Sequence, residues 1–553
     1  MQKLLDSLLF ISFCLFTILL GTCTHDATEN LITPYATFSL DSITLSPEQG
    51  EVTLSVEWSA TTWEIRMEDE SGMISNISPT SGGNRNKQYG QNTITIQFSE
   101  NSTEKRRTQV LFLTNMESGE HSQITLIQDS RLIPLSIQLD KSVRYQYVYG
   151  FGGMYNPKIW LSPDNLITRD ELLKMYSSEG LGYNILRLMI YPNEADWSAD
   201  VEGAKLAQQQ GAIVIAAPWD CTDAYAETIT LNGREYKHLK QEHYQDYANH
   251  LISYINFMKE QGVNIFAVSV QNEPDMEFTF WHPEEVVAFV KEHGASIRET
   301  GVKLMAPEAC GMSAEYTDPV LNDPVAFEQT DIVAGHLYQG FVKMEESSYV
   351  KNRHDYIVGL YNRKLAAAGK SWWMTEHLFN DGEKESNPAL WQFHDWSYNL
   401  ETLAQEIHMC MEGYCSAYIY WYLKRFYGMI GDHDTRSAAA PGEVLKNGYI
   451  LSHYAKYATG MTRIKVGVGA SDIKATAYIN DEETEISIVL LNMKADAWLG
   501  QISIPGTISR ITALETTAMR NMQPTSATVG SENRSATVNI SGNSIVSVNI
   551  QVK

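Results

Sequence analysis

The spacing of apolar residues along this 553-residue chain changes character twice. From about Thr37 to Asp129 the apolar stretches are short and alternate or run continuously: Phe38-Ser39-Leu40, Val52 to Val56, Thr93 to Ile96, Val110 to Leu113 and Ile124 to Ile127. Clusters of Ser, Gly and Asn separate them, a pattern that predicts a small immunoglobulin-like β-sandwich. From Tyr147 the pattern becomes strand, then helix, repeated. Candidate strands are Tyr147–Gly152, Asn184–Ile190, Ala212–Ala217, Asn264–Val270, Val302–Ala306, Ile332–His336, Trp372–Glu376 and Ala417–Tyr422. Segments of helical period lie between them, including Tyr244–Glu260 and Pro283–Glu299. Eight such units predict a (β/α)8 barrel with its site at the carboxyl ends of the strands. After Tyr457 the helical signal stops and alternating strands such as Glu485–Leu491 and Ser544–Val552 predict a second β-sandwich. The strand-like segment Leu135–Tyr145 is expected to pair into it.

The fold class is therefore multidomain, α/β plus all-β: a (β/α)8 barrel fused to a β-sandwich side domain, preceded by the small sandwich. Expected boundaries are 35–130 for the first sandwich and 131–146 for strands joining the last one. The barrel is expected over 147–459 and the carboxyl-terminal sandwich over 460–553.

Two of the apolar runs end in carboxylates. The fourth strand leads into Gln271-Asn272-Glu273-Pro274, and the seventh, Ser371 to Thr375, into Glu376. Strands four and seven lie across a barrel mouth, so the two carboxyls can face one another over a bound sugar. That is the equipment of a glycosidase: one carboxyl donates and recovers a proton, the other attacks the anomeric carbon or activates water. A separation of about 5–5.5 Å would make the enzyme retaining, and roughly 6.5–9.5 Å inverting. Either glutamate alone would read as an ordinary strand-end carboxylate; the paired placement carries the expectation. Asn272 could donate to the 2-hydroxyl of the sugar, and Arg187, at a strand end, could hydrogen-bond the nucleophile and keep it ionised, with a purely structural ion pair as the alternative.

A formal charge of -25 argues against nucleic acid or an anionic membrane surface as partner. Lys3 and the apolar run Leu8 to Leu20 read as a secretory signal over residues 1–23, too short to span a bilayer comfortably. Leu20-Gly21-Thr22-Cys23 looks like a loose lipobox, which would leave a lipidated Cys23 at the mature terminus; a plain secretory peptide is the alternative. The expected location is outside the cytoplasm, as an outer-membrane lipoprotein, at the cell surface or in the periplasm. Cys221, Cys310, Cys410 and Cys415 show no Cys-x-x-Cys spacing, and His408 does not complete a ligand set, so no zinc, metal or organic cofactor is expected. Four buried free thiols are expected, with one disulfide as the alternative.

From Gly150-Phe151-Gly152-Gly153 onward the chain resembles glycoside hydrolase family 30, most of all its bacterial glucuronoxylanase (endo-β-1,4-xylanase) subfamily. The matching stretches are Ile185-Leu186-Arg187, Ala217-Pro218-Trp219, Val268 to Asp275, Ala306-Pro307-Glu308, His336-Leu337-Tyr338, Trp373 to Glu376 and Trp421 to Tyr427. The resemblance implies Glu273 as acid/base and Glu376 as nucleophile. It implies that Trp219, Tyr338 and Trp421 line the subsite of the xylose to be cleaved, and that Arg425, with Tyr422 and Tyr427, reads a glucuronic acid branch. Leu378 and Asp381 depart from the pattern, standing where the subfamily has tyrosine and serine against that branch. Residues 35–130 resemble the BACON domain through the Ser46 to Gly50 turn, Trp58 and Trp63, the Ser78 to Gly83 turn, Asn101 to Arg107 and Ile127-Gln128. A spacer is expected there, with glycan binding as the alternative.

The expected activity is hydrolysis of internal β-1,4-xylosidic bonds of a xylan-type polysaccharide by a monomer. Rival expectations are another activity of that family (β-xylosidase, β-glucosidase or glucanase) and a non-catalytic glycan-binding surface lipoprotein.

Overall fold

The computed structural model describes residues 33–67, 72–103, 106–155, 166–276, 278–312, 314–338, 348–379, 395–504 and 506–553. The signal segment, Cys23 and Asp381 lie outside them. The described residues fall into two compact units.

The amino-terminal β unit holds a four-stranded sheet, Tyr35–Phe38, Gly50–Ser59, Gly90–Phe98 and Ile74–Ser78 in spatial order. A five-stranded sheet runs Ser42–Leu45, His121–Gln128, Arg107–Asn115, Thr62–Met67 and Ser81–Gly83. Alternate residues of the longer strands are buried, as in the pair Leu111 and Leu113 and the pair Ile124 and Leu126. The indole N–H groups of Trp58 and Trp63 both donate to Asn92 Oδ1, at 2.6 and 3.3 Å, so each buried ring keeps its polar edge satisfied.

The larger unit contains a closed parallel barrel. Its strands are β1 (Gly150–Met154), β2 (Ile185–Ile190), β3 (Ile213–Pro218), β4 (Ile265–Ser269), β5 (Lys303–Ala309), β6 (Ile332–Gly335), β7 (Ser371–Met374) and β8 (Cys415–Tyr420). β1 pairs with both β2 and β8, which closes the ring. All eight coincide with the runs predicted from periodicity, with ends moved by a few residues. β2 and β8 are buried at every position, because helices cover their outer face and side chains fill the inside. Ile185, Ile215, Ala267, Met305, Ile332, Trp373 and Ile419 form that inner packing. The helix Tyr244–Glu260 has its predicted bounds, and the next ends at Arg298 after starting on Pro283, a favourable first helical residue.

One element between β3 and β4 was not predicted. Ala226–Leu231 and Arg234–Leu239 form an antiparallel hairpin closed by Asn232-Gly233, both at positive φ, as a two-residue turn of this hand requires.

The strand Ile133–Tyr147 leaves the barrel entrance and pairs antiparallel with Thr462–Val468 and parallel with Trp498–Ser503. The carboxyl-terminal β domain is hydrogen-bonded as one continuous ten-stranded sheet rather than two separate ones. Its apolar face gathers Leu135, Ile137, Ile488, Leu490, Ile502, Val538, Val548 and Ile550 into a single core. The barrel's last helix, Lys446–Ala458, docks on this sheet through His453, whose two ring nitrogens meet Ser547 Oγ at 2.5 Å and Thr516 Oγ1 at 2.8 Å. Burial pushes His453 down to about 3, so the docking imidazole is neutral.

Candidate active site

Glu273 lies just past β4 and Glu376 just past β7. One carboxyl oxygen from each, together with a ring nitrogen of His336 from the end of β6, lie within 4.8 Å of one another. The barrel thus brings together the two carboxyls that the sequence pairs.

Arg187, in the middle of β2 and fully buried, organises the group. Its Nη1 donates to Glu376 Oε2 at 2.6 Å, and its Nη2 donates to Asn272 Oδ1 at 2.6 Å and to Glu308 Oε1 at 3.2 Å. The planar fork suits this work, since its donors diverge at fixed angles. The face of the guanidinium sits 4.5 Å over the Trp219 ring. Glu376 Oε1 accepts from the Tyr338 hydroxyl at 2.9 Å, so each oxygen of that carboxylate has a donor. Glu273 Oε1 meets His336 Nδ1 at 2.8 Å.

Both Glu273 and Glu308 take left-handed backbone conformations, with φ of 46° and 62°. Such conformations cost a non-glycine residue about 1–3 kcal/mol, and they persist where the surroundings enforce them. Here the Glu273 N–H donates to the Glu308 carbonyl at 3.0 Å, locking the two strand ends to each other.

The electrostatics follow from burial set against neighbours. Burial alone would depress His336, but the Glu376, Glu273 and Glu308 carboxylates around it lift it to about 10. Burial alone would raise Glu308, but the Arg187 and His336 charges hold it at about 2. Burial pushes Glu376 above the ordinary carboxylate value, while His336 and Arg187 pull against that rise. Glu273, His336 and Glu376 are spaced closely enough to hold a cation. A protonated His336 has no lone pair free at Nδ1, and Arg187 already occupies Glu376, so the donor set fits a proton and charge network better than a metal.

The other sequence-predicted residues fall as follows. Tyr338 uses its hydroxyl on Glu376. Trp219 is 2% exposed, with Arg187 over its ring and Trp421 at 5.5 Å between centroids. Trp421 is half-buried and is the more open of the two rings. Asn272 gives its oxygen to Arg187, while its buried Nδ2 meets no hydrogen-bond partner among the described residues. The half-buried Arg425 guanidinium lies 5.6 Å from the Tyr422 ring and 5.8 Å from the Tyr427 ring. Leu378 is half-buried against the barrel's apolar core. The four cysteines are buried and free.

Sequence reasoning gave no role to Glu308 or His336, although both stand in quoted stretches. The signal was present: each is an ionisable residue at the carboxyl end of a barrel strand, the criterion that singled out Glu273 and Glu376.

A (β/α)8 barrel with two carboxyls facing across its carboxyl-end rim, one held by an arginine and the other by a histidine, defines a glycoside hydrolase. Over 396 residues the chain is 32% identical to glucuronoxylanase XynC of Bacillus subtilis (strain 168), covering 70% of this chain and 85% of that protein. The chain belongs to glycoside hydrolase family 30. A family 30 endoxylanase from Clostridium papyrosolvens C71 superposes with a TM-score of 0.63 at 29% identity, covering 76% of this chain and all of that one. The subfamily 8 xylanase Xyn30A from Clostridium acetobutylicum, at 24% identity and a TM-score of 0.60, covers the same 76% and shares the fold. No protein-family model matches the chain.

Proposed function

We propose that the protein is an endo-acting xylanase that cleaves internal β-1,4-xylosidic bonds of (glucurono)xylan with retention of configuration. The observation that carries the reading is the approach of the Glu273 and Glu376 carboxyl oxygens to within 4.8 Å. That spacing favours direct attack, since an inverting pair stands roughly 6.5–9.5 Å apart to admit water between. The relatives named glucuronoxylanase and endoxylanase support xylan as substrate and an internal point of attack.

In this reading Glu273 protonates the departing glycosidic oxygen while Glu376 attacks the anomeric carbon. Glu273, now a carboxylate, takes a proton from water, which displaces Glu376 and restores both residues. The residues in direct contact comprise three carboxyls (Glu273, Glu308, Glu376) and two cations (Arg187, His336). Such a group is neutral when it carries one further proton, which is the proton a general acid needs. The open Nδ2 of Asn272 is the donor for the sugar 2-hydroxyl, a bond that strengthens as positive charge develops on the ring. Trp421 offers a face for the sugar's C–H groups, with Trp219 backing it. Arg425, with Tyr422 and Tyr427, faces the glucuronic acid branch.

The same proposal places the enzyme outside the cytoplasm as a monomer held by acyl chains on Cys23, with the BACON-like domain as spacer. No helix among the described residues is long and apolar enough to cross a membrane.

Digestion of glucuronoxylan, arabinoxylan and linear xylan, with products resolved by size and the first-formed anomer followed by NMR, tests the reading. Oligosaccharides appearing first as the β-anomer are expected. Release of xylose alone, or an α-anomer first, would overturn it.

A further inference from the structure

The residue after the nucleophile leads away from the cleft to a second buried carboxylate. His377 Nδ1 lies 2.7 Å from Glu406 Oε1, and the Tyr418 hydroxyl of β8 donates to that same oxygen at 2.7 Å. Glu406 sits on the helix Gln405–Glu412 and is wholly buried, and its Oε2 meets no partner among the described residues. Burying a carboxylate in this way is expensive, and an apolar residue of similar volume would pack the helix at lower cost. What the carboxylate does achieve is local. As an acceptor it keeps a hydrogen on His377 Nδ1 and fixes the turn of the imidazole.

That ring packs edge-on against Tyr338, with centroids 5.1 Å apart and planes at 83°. Tyr338 in turn donates to Glu376 Oε1 at 2.9 Å. The His377 carbonyl also accepts from the Trp421 N–H at 3.0 Å, joining the ends of β7 and β8 beside the cleft. A fixed chain therefore runs from Glu406 through the imidazole and the phenol to Glu376 Oε1.

We propose that Glu406 is a positioning residue for the nucleophile, acting through His377 and Tyr338 to hold the donor that aims Glu376. The inference rests on the reading of Glu376 as nucleophile. Glu406 touches no reacting atom; removing it lets the imidazole turn, releases the Tyr338 ring and widens the range of positions open to the Glu376 carboxylate. Loss of aim at the reacting atoms lowers turnover more than it lowers binding.

The test measures kcat and KM on glucuronoxylan for Glu406→Ala, Glu406→Gln, Tyr338→Phe and the Glu406→Ala/Tyr338→Phe pair, each with a thermal melt. Glu406→Ala is expected to lose about tenfold to a hundredfold in kcat with KM little changed. Glu406→Gln keeps an oxygen acceptor for His377 and is expected to recover most of that loss. The paired variant is expected to be within about twofold of the slower single, because both changes act through the one Tyr338 hydroxyl. Multiplying losses in the pair, or a Glu406→Ala enzyme with wild-type kcat, would overturn the inference. If Glu406→Ala fails to melt cooperatively, His377→Asn takes its place, keeping an N–H for Glu406 while deleting the ring edge. Its kcat loss is expected to be non-additive with Tyr338→Phe, and an additive one overturns the inference. Glu376→Gly separates the two readings. Activity surviving in that variant sinks the nucleophile assignment, whereas an inactive Glu376→Gly beside additive Glu406 and Tyr338 effects sinks only the positioning role.

Discussion

Arg187 on β2 reaches across the barrel interior to Glu376 at the end of β7, Nη1 to Oε2 at 2.6 Å, with neither side chain more than 6% exposed. The contact spans two strands far apart in the ring, so it exists only when the barrel is closed. Arg187 also bonds Glu308 and Asn272, and one guanidinium thereby fixes residues from β4, β5 and β7 relative to β2. Arg187→Met is expected to strand two buried carboxylates and to cost about 3–5 kcal/mol of stability along with most of the activity. Arg187→Lys keeps the charge but cannot serve three acceptors in one plane, so it is expected to fold better than the Met variant and still turn over poorly. Urea unfolding beside kcat on glucuronoxylan checks both. A Lys variant with wild-type kcat would show that charge alone suffices.

His336 makes an alkaline prediction. Its folded value of about 10 lies above the ordinary 6.5, so folding favours the protonated ring. A raised value of this kind contributes stability that is complete below about 6.5 and is lost as pH climbs through about 10. The wild-type advantage in unfolding free energy over His336→Gln is therefore expected to shrink steadily across that window. Denaturant titrations at intervals from about pH 6 to pH 10 check this. A pH-independent gap would mean that the carboxylates do not hold a proton on this ring.

Glu308 makes the opposite prediction at the acid end. Its folded value, about 2, is depressed below the ordinary 4.5, so the ionised form is the one that folding favours. The resulting stability is present above about 4.5 and is lost as pH falls toward about 2. Glu308→Gln is accordingly expected to be less stable than wild type near neutrality and to approach it below about pH 4. Unfolding curves at matched ionic strength read this directly. A Gln variant as stable as wild type at neutral pH would show that Arg187 and His336 gain nothing from the charge.

How far the sequence foretells this structure depends on the kind of signal. The eight barrel strands announce themselves because each is largely buried on both faces and reads as a short, mainly apolar run, Ile213–Pro218 and Ile332–Gly335 most clearly. Glu273 and Glu376 stand out for the converse reason, as charges placed where such runs stop. The hairpin from Ala226 to Leu239 escapes because its strands mix exposed and half-buried positions and carry little hydrophobic contrast, although Asn232-Gly233 marks its turn. His336 and Glu308 were visible as residues but not as partners. Their roles depend on which strand ends come within 3–4 Å, and spacing along the chain does not encode that distance. The turn of Tyr338 toward Glu376 was hidden for the same reason: an aromatic beside a sugar site reads as a stacking surface until its hydroxyl is placed.

The branch-reading prediction rests on what surrounds Arg425. Its guanidinium is half-buried, with the Tyr422 and Tyr427 rings at 5.6 and 5.8 Å, so it is held without being closed off from solvent. A guanidinium so placed can take a carboxylate through two parallel hydrogen bonds, whereas Leu378, half-buried on the barrel core, brings no donor to the same task. Fewer donors than a full pocket should leave the branch favoured rather than required. Arg425→Ala is therefore expected to lower kcat/KM on glucuronoxylan by about tenfold or more, the low end for a paired charge-assisted contact that solvent still reaches, and to leave linear xylan within about twofold of wild type. Leu378→Tyr, which restores a hydroxyl, is expected to widen the gap between the two substrates in the wild-type background. Parallel kinetics on the two polymers decide the matter. Equal losses on both in Arg425→Ala would mean that the arginine supports the cleft rather than reading the branch.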